Sequence, residues 1–81
     1  METIVNESVS VHALQIERVI ERSHTSAVAK FYHGKKLLCE AWFAEPNVRK
    51  LNIEQVWISI EQASAVNVAV QMAISWLVDQ A

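Results

Sequence analysis

Glycine, proline and cysteine occur once each in this chain of 81 residues, as Gly34, Pro46 and Cys39. A single glycine excludes a glycine-rich phosphate loop. A single cysteine excludes an intramolecular disulfide and any site built from several thiolates, and it fits a reducing compartment. The scarcity of glycine and proline, with 52% hydrophobic residues, excludes a low-complexity linker and predicts one folded domain over 1–81. So small a domain has a marginal core, and the high apolar fraction predicts that some surface is buried against another chain.

Positive charge is missing from both ends. All seven lysines and arginines lie between Arg18 and Lys50, and the only charged residues after them are Glu54, Glu61 and Asp79. The opening residues, Met1 to Ser8, are acidic and lack the pattern of a signal peptide. The most apolar run, Ala65 to Val78, is broken by Asn67, Gln71 and Ser75. It is shorter than the roughly 20 apolar residues that span a bilayer. These features lead us to expect a cytoplasmic chain with no membrane contact, and the size and acidity suit a small bacterial or phage protein.

The C-terminal third reads as one long helix from Ile53 to about Gln80. Asn52 can cap its start, with Gln55 reaching back and Glu54 in the first turn. Ile53, Val56, Trp57, Ile60 and Ala63 follow a helical period, and Val70, Ala73, Ile74 and Leu77 continue that face. Val66, Ala69, Met72 and Trp76 widen the apolar arc beyond what one sheet covers. The alternative is a strand from Val56 to Ile60 followed by a helix capped by Ser64. No basic residue occupies the last turn of the helix, so packing must hold that end.

Residues 27–43 read as a β-hairpin. Ala27, Ala29 and Phe31 alternate with Val28, Lys30 and Tyr32. Leu37, Cys39, Ala41 and Phe43 alternate with Lys36, Leu38, Glu40 and Trp42. The turn lies at His33–Gly34, where Gly34 supplies a positive φ. An odd-length loop with a glycine bulge puts Ala27, Ala29 and Phe31 on one face with Leu37, Cys39 and Ala41. That face is apolar and small, so the long helix is expected on it. Lys30, Tyr32, Leu38, Glu40 and Trp42 then form a mixed, partly exposed face. Residues 13–22 favour a strand over a helix capped by Ser10, because Ser23–Ser26 reads as the next hairpin loop. Residues 1–12 stay open between edge strand and loose segment. Residues 44–51, with Pro46–Asn47, read as a connection. The expected fold is α+β: an antiparallel meander of about three strands packed on one long C-terminal helix.

Candidate chemistry is thin. Cys39 could pair with His24 or His33 as nucleophile and base, but it sits mid-strand on the face expected to be buried. His12, His24 and His33 have no metal-ligand spacing. Glu17, Glu21, Glu40 and Glu45 make no recognisable acid–base pair; Glu17 and Glu21 alternate with Arg18 and Arg22 as a solvated face does. Lys30, Tyr32, His33, Lys35 and Lys36 cluster at the hairpin tip, with Arg49 and Lys50 as possible additions. They could meet a phosphate backbone and stack on a base; equally, they suit a solvated turn with edge lysines. Trp42 and Trp76 are interface candidates, whereas Trp57 reads as core.

The order of hairpin, strand and long C-terminal helix resembles that of double-stranded RNA-binding domains. Those begin the helix with Ser-Lys-Lys; the matching positions here are Ser64-Ala65-Val66-Asn67. The missing lysines remove the phosphate contact, so that function is not carried over. With no catalytic constellation and no cofactor motif, the sequence points to a non-enzymatic protein-interaction module. It is expected to be homodimeric and to regulate or inhibit another protein through Trp42, Val66, Ala69, Met72 and Trp76. The alternative is a nucleic-acid-binding module that uses the basic hairpin from Lys30 to Lys36.

Overall fold

The computed structural model describes residues 3–11, 14–54 and 60–80. Five strands come first: β1 (Thr3–Val11), β2 (Leu14–Arg22), β3 (Ser26–His33), β4 (Lys36–Ala44) and β5 (Val48–Ile53). One helix, α1 (Ile60–Val78), follows. The strands form a single antiparallel sheet in sequence order, a five-stranded meander. The α+β class, the meander and the C-terminal helix are as expected; the strand number is five and not about three. Residues 3–11 and 48–53 supply the two outer strands.

The first half of the expected helix is corrected. Ile53 ends β5, and Asn52 pairs with Glu40 within the sheet instead of capping a helix. Two periodicities overlap here. Arg49, Leu51 and Ile53 alternate with Val48, Lys50 and Asn52, which is a strand pattern. The turn at 45–47, which contains a cis Glu45–Pro46 peptide, brings β5 back along β4. Residues 48–51 are therefore strand, not connection. The expectations for Gln55, Val56, Trp57 and Ile58 fall outside the described residues, as does His12. Ile60 is helical, which excludes it from the alternative strand.

The hairpin of β3 and β4 keeps its predicted apolar face by a different route. Its loop has two residues, Gly34 and Lys35, between the paired His33 and Lys36. Gly34 has φ 65°, as primed two-residue turns require. His33 is thus the last residue of β3, not a turn residue. The extra residue lies further along, at Leu38, between the pairs Tyr32–Leu37 and Phe31–Cys39. This bulge restores the parity that the short loop alone would break. It also buries both Leu38 and Cys39, so Leu38 leaves the outer face expected for it, and Leu37 joins Tyr32 there.

The helix lies mainly across β4, with lesser contact to β3, β5 and β2. Its buried line is Ala65, Ala69 and Ala73, then Trp76 and Leu77. Spacings of four and three residues keep these on one stripe. The sheet offers Ala27, Ala29, Phe31, Cys39 and Ala41 in return, with Ile16 and Ile20 from β2. Small residues on both sides let the two layers approach closely. Ile74, expected on the packing face, is 49% exposed. The expected phase was set by Ile53–Ile60, and part of that run belongs to a strand.

The sheet itself supplies the positive charge that the helix end lacks. Arg49 of β5 donates from Nε to the Leu77 carbonyl at 3.0 Å and from Nη2 to the Gln80 carbonyl. Arg22 of β2 donates to the Gln80 side-chain oxygen at 3.0 Å, with its guanidinium 5.9 Å from the centre of the Trp76 ring. Two strands therefore complete the C-terminal turn, where carbonyls need donors and the dipole favours cations.

Candidate interaction surface on the open sheet face

The molecule measures 38 × 20 × 18 Å. Its smallest extent is that of one sheet and one helix, each roughly 10 Å thick. Among the described residues, nothing covers the sheet face opposite α1. Strand register fixes what stands on that face. One row runs Glu21, Val28, Trp42, Lys50 across β2 to β5. The next runs Val19, Lys30, Glu40, Asn52. A third runs Glu17, Tyr32, Leu37. Val48 and Ala44 pair beyond the first row. Trp42 is 52% exposed and Val48 46% exposed, while Val19, Val28, Tyr32 and Leu37 are half-buried. A groove of about 510 Å³ lies over the first two rows, with Glu21, Val28, Lys30, Glu40, Trp42 and Lys50 in its lining.

Of the five interface residues expected from sequence, Trp42 is the one on this face. Ala69 and Trp76 lie in the core, Trp76 with 6% exposure. Val66 and Met72 are half-buried against that core. Among the described side chains of the helix, the exposed large apolar ones are Ile74 and Val78 instead. The five candidates thus do not form one patch: four belong to the helix side and Trp42 to the opposite face. Val28, Val48, Glu21 and Lys50 were missed. The alternation of β3 marks Val28, but Val48 and Lys50 needed β5 to be recognised.

The basic hairpin residues divide as well. Lys30 and Tyr32 stand on the open face, where Glu40 and Glu17 are their cross-strand partners. His33 and Lys36 face each other one position further on, which places them on the other side of the sheet. Lys35 is exposed in the turn.

Cys39 is fully buried, and removal from water pushes its thiol up to about 11, with Glu40 beside it adding in the same direction. Such a thiol is a packing group and a poor nucleophile at neutral pH. Among the described residues, no group of three or more His, Cys, Asp or Glu side chains could hold a metal ion. None of their helices is long and apolar enough to cross a membrane. A smaller cleft of about 290 Å³ lies between β2 and the helix, lined by Arg18, Gln71, Met72, Ser75, Trp76 and Asp79. The buried Arg18 Nε and Trp76 Nε1 have no hydrogen-bond partner there. The other end of the Arg18 guanidinium pairs with Glu7. No family model, curated protein or solved structure matches this chain.

Proposed function

We propose that the chain is a non-enzymatic protein-interaction module that works through its open sheet face, regulating or inhibiting the protein it binds. The observation that carries this is Trp42, half exposed on β4 of the open face, paired with the half-buried Val28 in a shallow groove. Tryptophan is the residue type most enriched among binding anchors. Half-buried Val28 pairs with Trp42, and Val19, Tyr32 and Leu37 add apolar area further along the face, interleaved with the charges of Glu21, Lys30, Glu40 and Lys50. The carboxylates interleaved with Lys30 and Tyr32, and the placement of His33 and Lys36 on the other side, favour this reading over nucleic-acid binding. A phosphate backbone would meet Glu17, Glu21 and Glu40 on the same surface.

The test compares two surface variants as bait in the protein's native cells. Trp42→Arg disrupts the open face, and Ile74→Arg places the same charge on the exposed side of the helix. We expect a protein partner that is retained by wild type and Ile74→Arg and lost with Trp42→Arg. Equal retention by Trp42→Arg would refute the reading. So would recovery of nucleic acid that depends on Lys35 and Lys36 and falls steeply with salt.

A further inference from the structure

Among the described residues, the charges on the open face are unpaired within the chain. The ion pair among the described residues joins Arg18 to Glu7, on the helix side. Glu21, Lys30, Glu40 and Lys50 make no such contact, although Lys30 and Glu40 are cross-strand neighbours. Their arrangement has a symmetry. Consider a line running along the strands between β3 and β4. On the first row, Glu21 and Lys50 are equidistant from that line, as are Val28 and Trp42. On the second row, Lys30 and Glu40 flank it, and on the third Tyr32 and Leu37 do. Glu21 with Lys50 and Lys30 with Glu40 are of opposite sign across the line, and Val28 with Trp42 and Tyr32 with Leu37 match apolar or aromatic groups; Val19 meets Asn52, and Glu17 has no counterpart on β5.

A face with that property is complementary to itself. Rotation by 180° about an axis parallel to this line, about 5 Å outside the open face and so midway between two sheets packed about 10 Å apart, lays a second copy face to face on the first. It brings β4 over β3 and β5 over β2. Lys50 then meets Glu21, Glu40 meets Lys30, and Trp42 covers Val28 in the groove, each contact occurring twice. The rotation keeps the strand directions of the two sheets aligned, which is the common way for twisted sheets to pack, about 10 Å apart and crossed by about 30°. A lysine and a glutamate reaching toward each other span that gap.

We infer that this face binds a second copy of the chain in a two-fold sheet-on-sheet dimer whose axis runs along the strands between β3 and β4. The inference rests on the open face being a protein-docking surface. Four strands at about 4.8 Å and three rows at about 6.8 Å give a footprint some 15–20 Å on a side, roughly 200–400 Å² per copy, which is below the standard size and in the range of weak, transient association. A dissociation constant of about micromolar order is the matching expectation.

The mass is measured by sedimentation velocity from about 1 µM to 1 mM, with circular dichroism to check that each variant is folded. Wild type should shift from monomer to dimer across that range. Glu21→Lys alone sets like charges opposite Lys50, and Lys50→Glu alone sets them opposite Glu21. Either should weaken association by about 10- to 100-fold, because each change acts at two symmetric contacts. The decisive sample is an equimolar mixture of E21K and K50E. It restores opposite charges at both contacts and should form a mixed dimer, as should the double variant E21K/K50E with itself. A wild type that stays monomeric at 1 mM overturns the self-association; partner capture lost with Trp42→Arg would then still uphold the docking reading. A dimer insensitive to Trp42→Arg and to both charge reversals overturns the geometry and removes the open face as its seat. Failure of the mixture to associate, with both variants folded, overturns the assigned axis.

Discussion

Replacing Arg49 with methionine should destabilise the protein by removing a helix cap that comes from another element. Methionine keeps most of the apolar stem over Phe43, whose ring centre lies 5.4 Å from the guanidinium. It deletes the part-buried bond to the Leu77 carbonyl at 3.0 Å and the exposed bond to the Gln80 carbonyl. A hydrogen bond with one charged partner is worth about 1.5–3 kcal/mol when buried, and a cation at a helix C-terminus about 0.3–1 kcal/mol. Arg49 is largely solvent-exposed, so solvent screens part of both effects, and we expect a net loss of about 1–2 kcal/mol. In a domain of this size each kcal/mol lowers the melting temperature by about 4–8 °C. Urea and thermal melts followed by circular dichroism read the loss. Arg49→Lys, which keeps the charge but not the two-pronged geometry, should fall between wild type and Arg49→Met. High salt should narrow the gap between wild type and the methionine variant. A change below about 0.3 kcal/mol for Arg49→Met, well under a typical net hydrogen bond, would refute the idea that β5 holds the helix end.

Three further outcomes separate core from surface. Trp76→Ala should cost about 3–5 kcal/mol in a urea melt, whereas Trp42→Ala should stay within about 1 kcal/mol; equal costs would contradict their opposite placements. Ala69→Leu should cost about 1–3 kcal/mol by overpacking where the helix meets the sheet, while Asn67→Leu, two residues away and exposed, should be nearly neutral in the same melts. Burial raises the Cys39 thiol from 9.0 to about 11, so between those values the unfolded chain binds fewer protons than the folded one. Stability should therefore hold below about pH 9 and fall by roughly 1–3 kcal/mol as pH rises toward 11, an effect absent in Cys39→Ser. In the same melts, a wild-type stability that is flat over that window would show the thiol to be accessible.

What could be read from the sequence was local. The alternation through β3 and β4 is regular enough to assign both faces, and the small face does receive the helix. The bulge could not be placed, because a glycine turn and an extra residue at Leu38 restore parity equally well on paper. β5 was hidden by Ile53, which satisfies a strand period with Leu51 and a helical period with Val56 and Trp57. Misassigning it displaced the helix start and rotated the expected packing face onto Ile74. The capping of α1 by Arg49 was beyond reach for a different reason. It joins residues far apart in sequence through a strand pairing that had not been recognised. The open face suffered likewise: Trp42 could be picked out as an aromatic on an outer face, but the partnership of Glu21 with Lys50 exists only once β2 and β5 flank β3 and β4 at known register.

The two faces of the sheet answer different demands. Toward the helix, Ala27, Ala29, Cys39 and Ala41 are small because Ala65, Ala69 and Ala73 pass close above them. Close approach gives dense packing but little apolar area per residue, so this core contributes modestly for its length. Toward solvent, the same strands carry Val28, Tyr32, Leu37 and Trp42, which are larger. Part of the exposed apolar area, Trp42 and Val48 included, therefore lies on the open face, while Ile74 and Val78 are exposed on the helix. Association through that face would feed back on folding. A partner present at a hundred times its dissociation constant adds about 2.7 kcal/mol to the stability of the folded chain. That is comparable to the Arg49 cap and more than a domain this small can readily spare. A chain built this way should show a melting temperature that rises with its own concentration if the partner is a second copy, and with the partner's concentration if it is not.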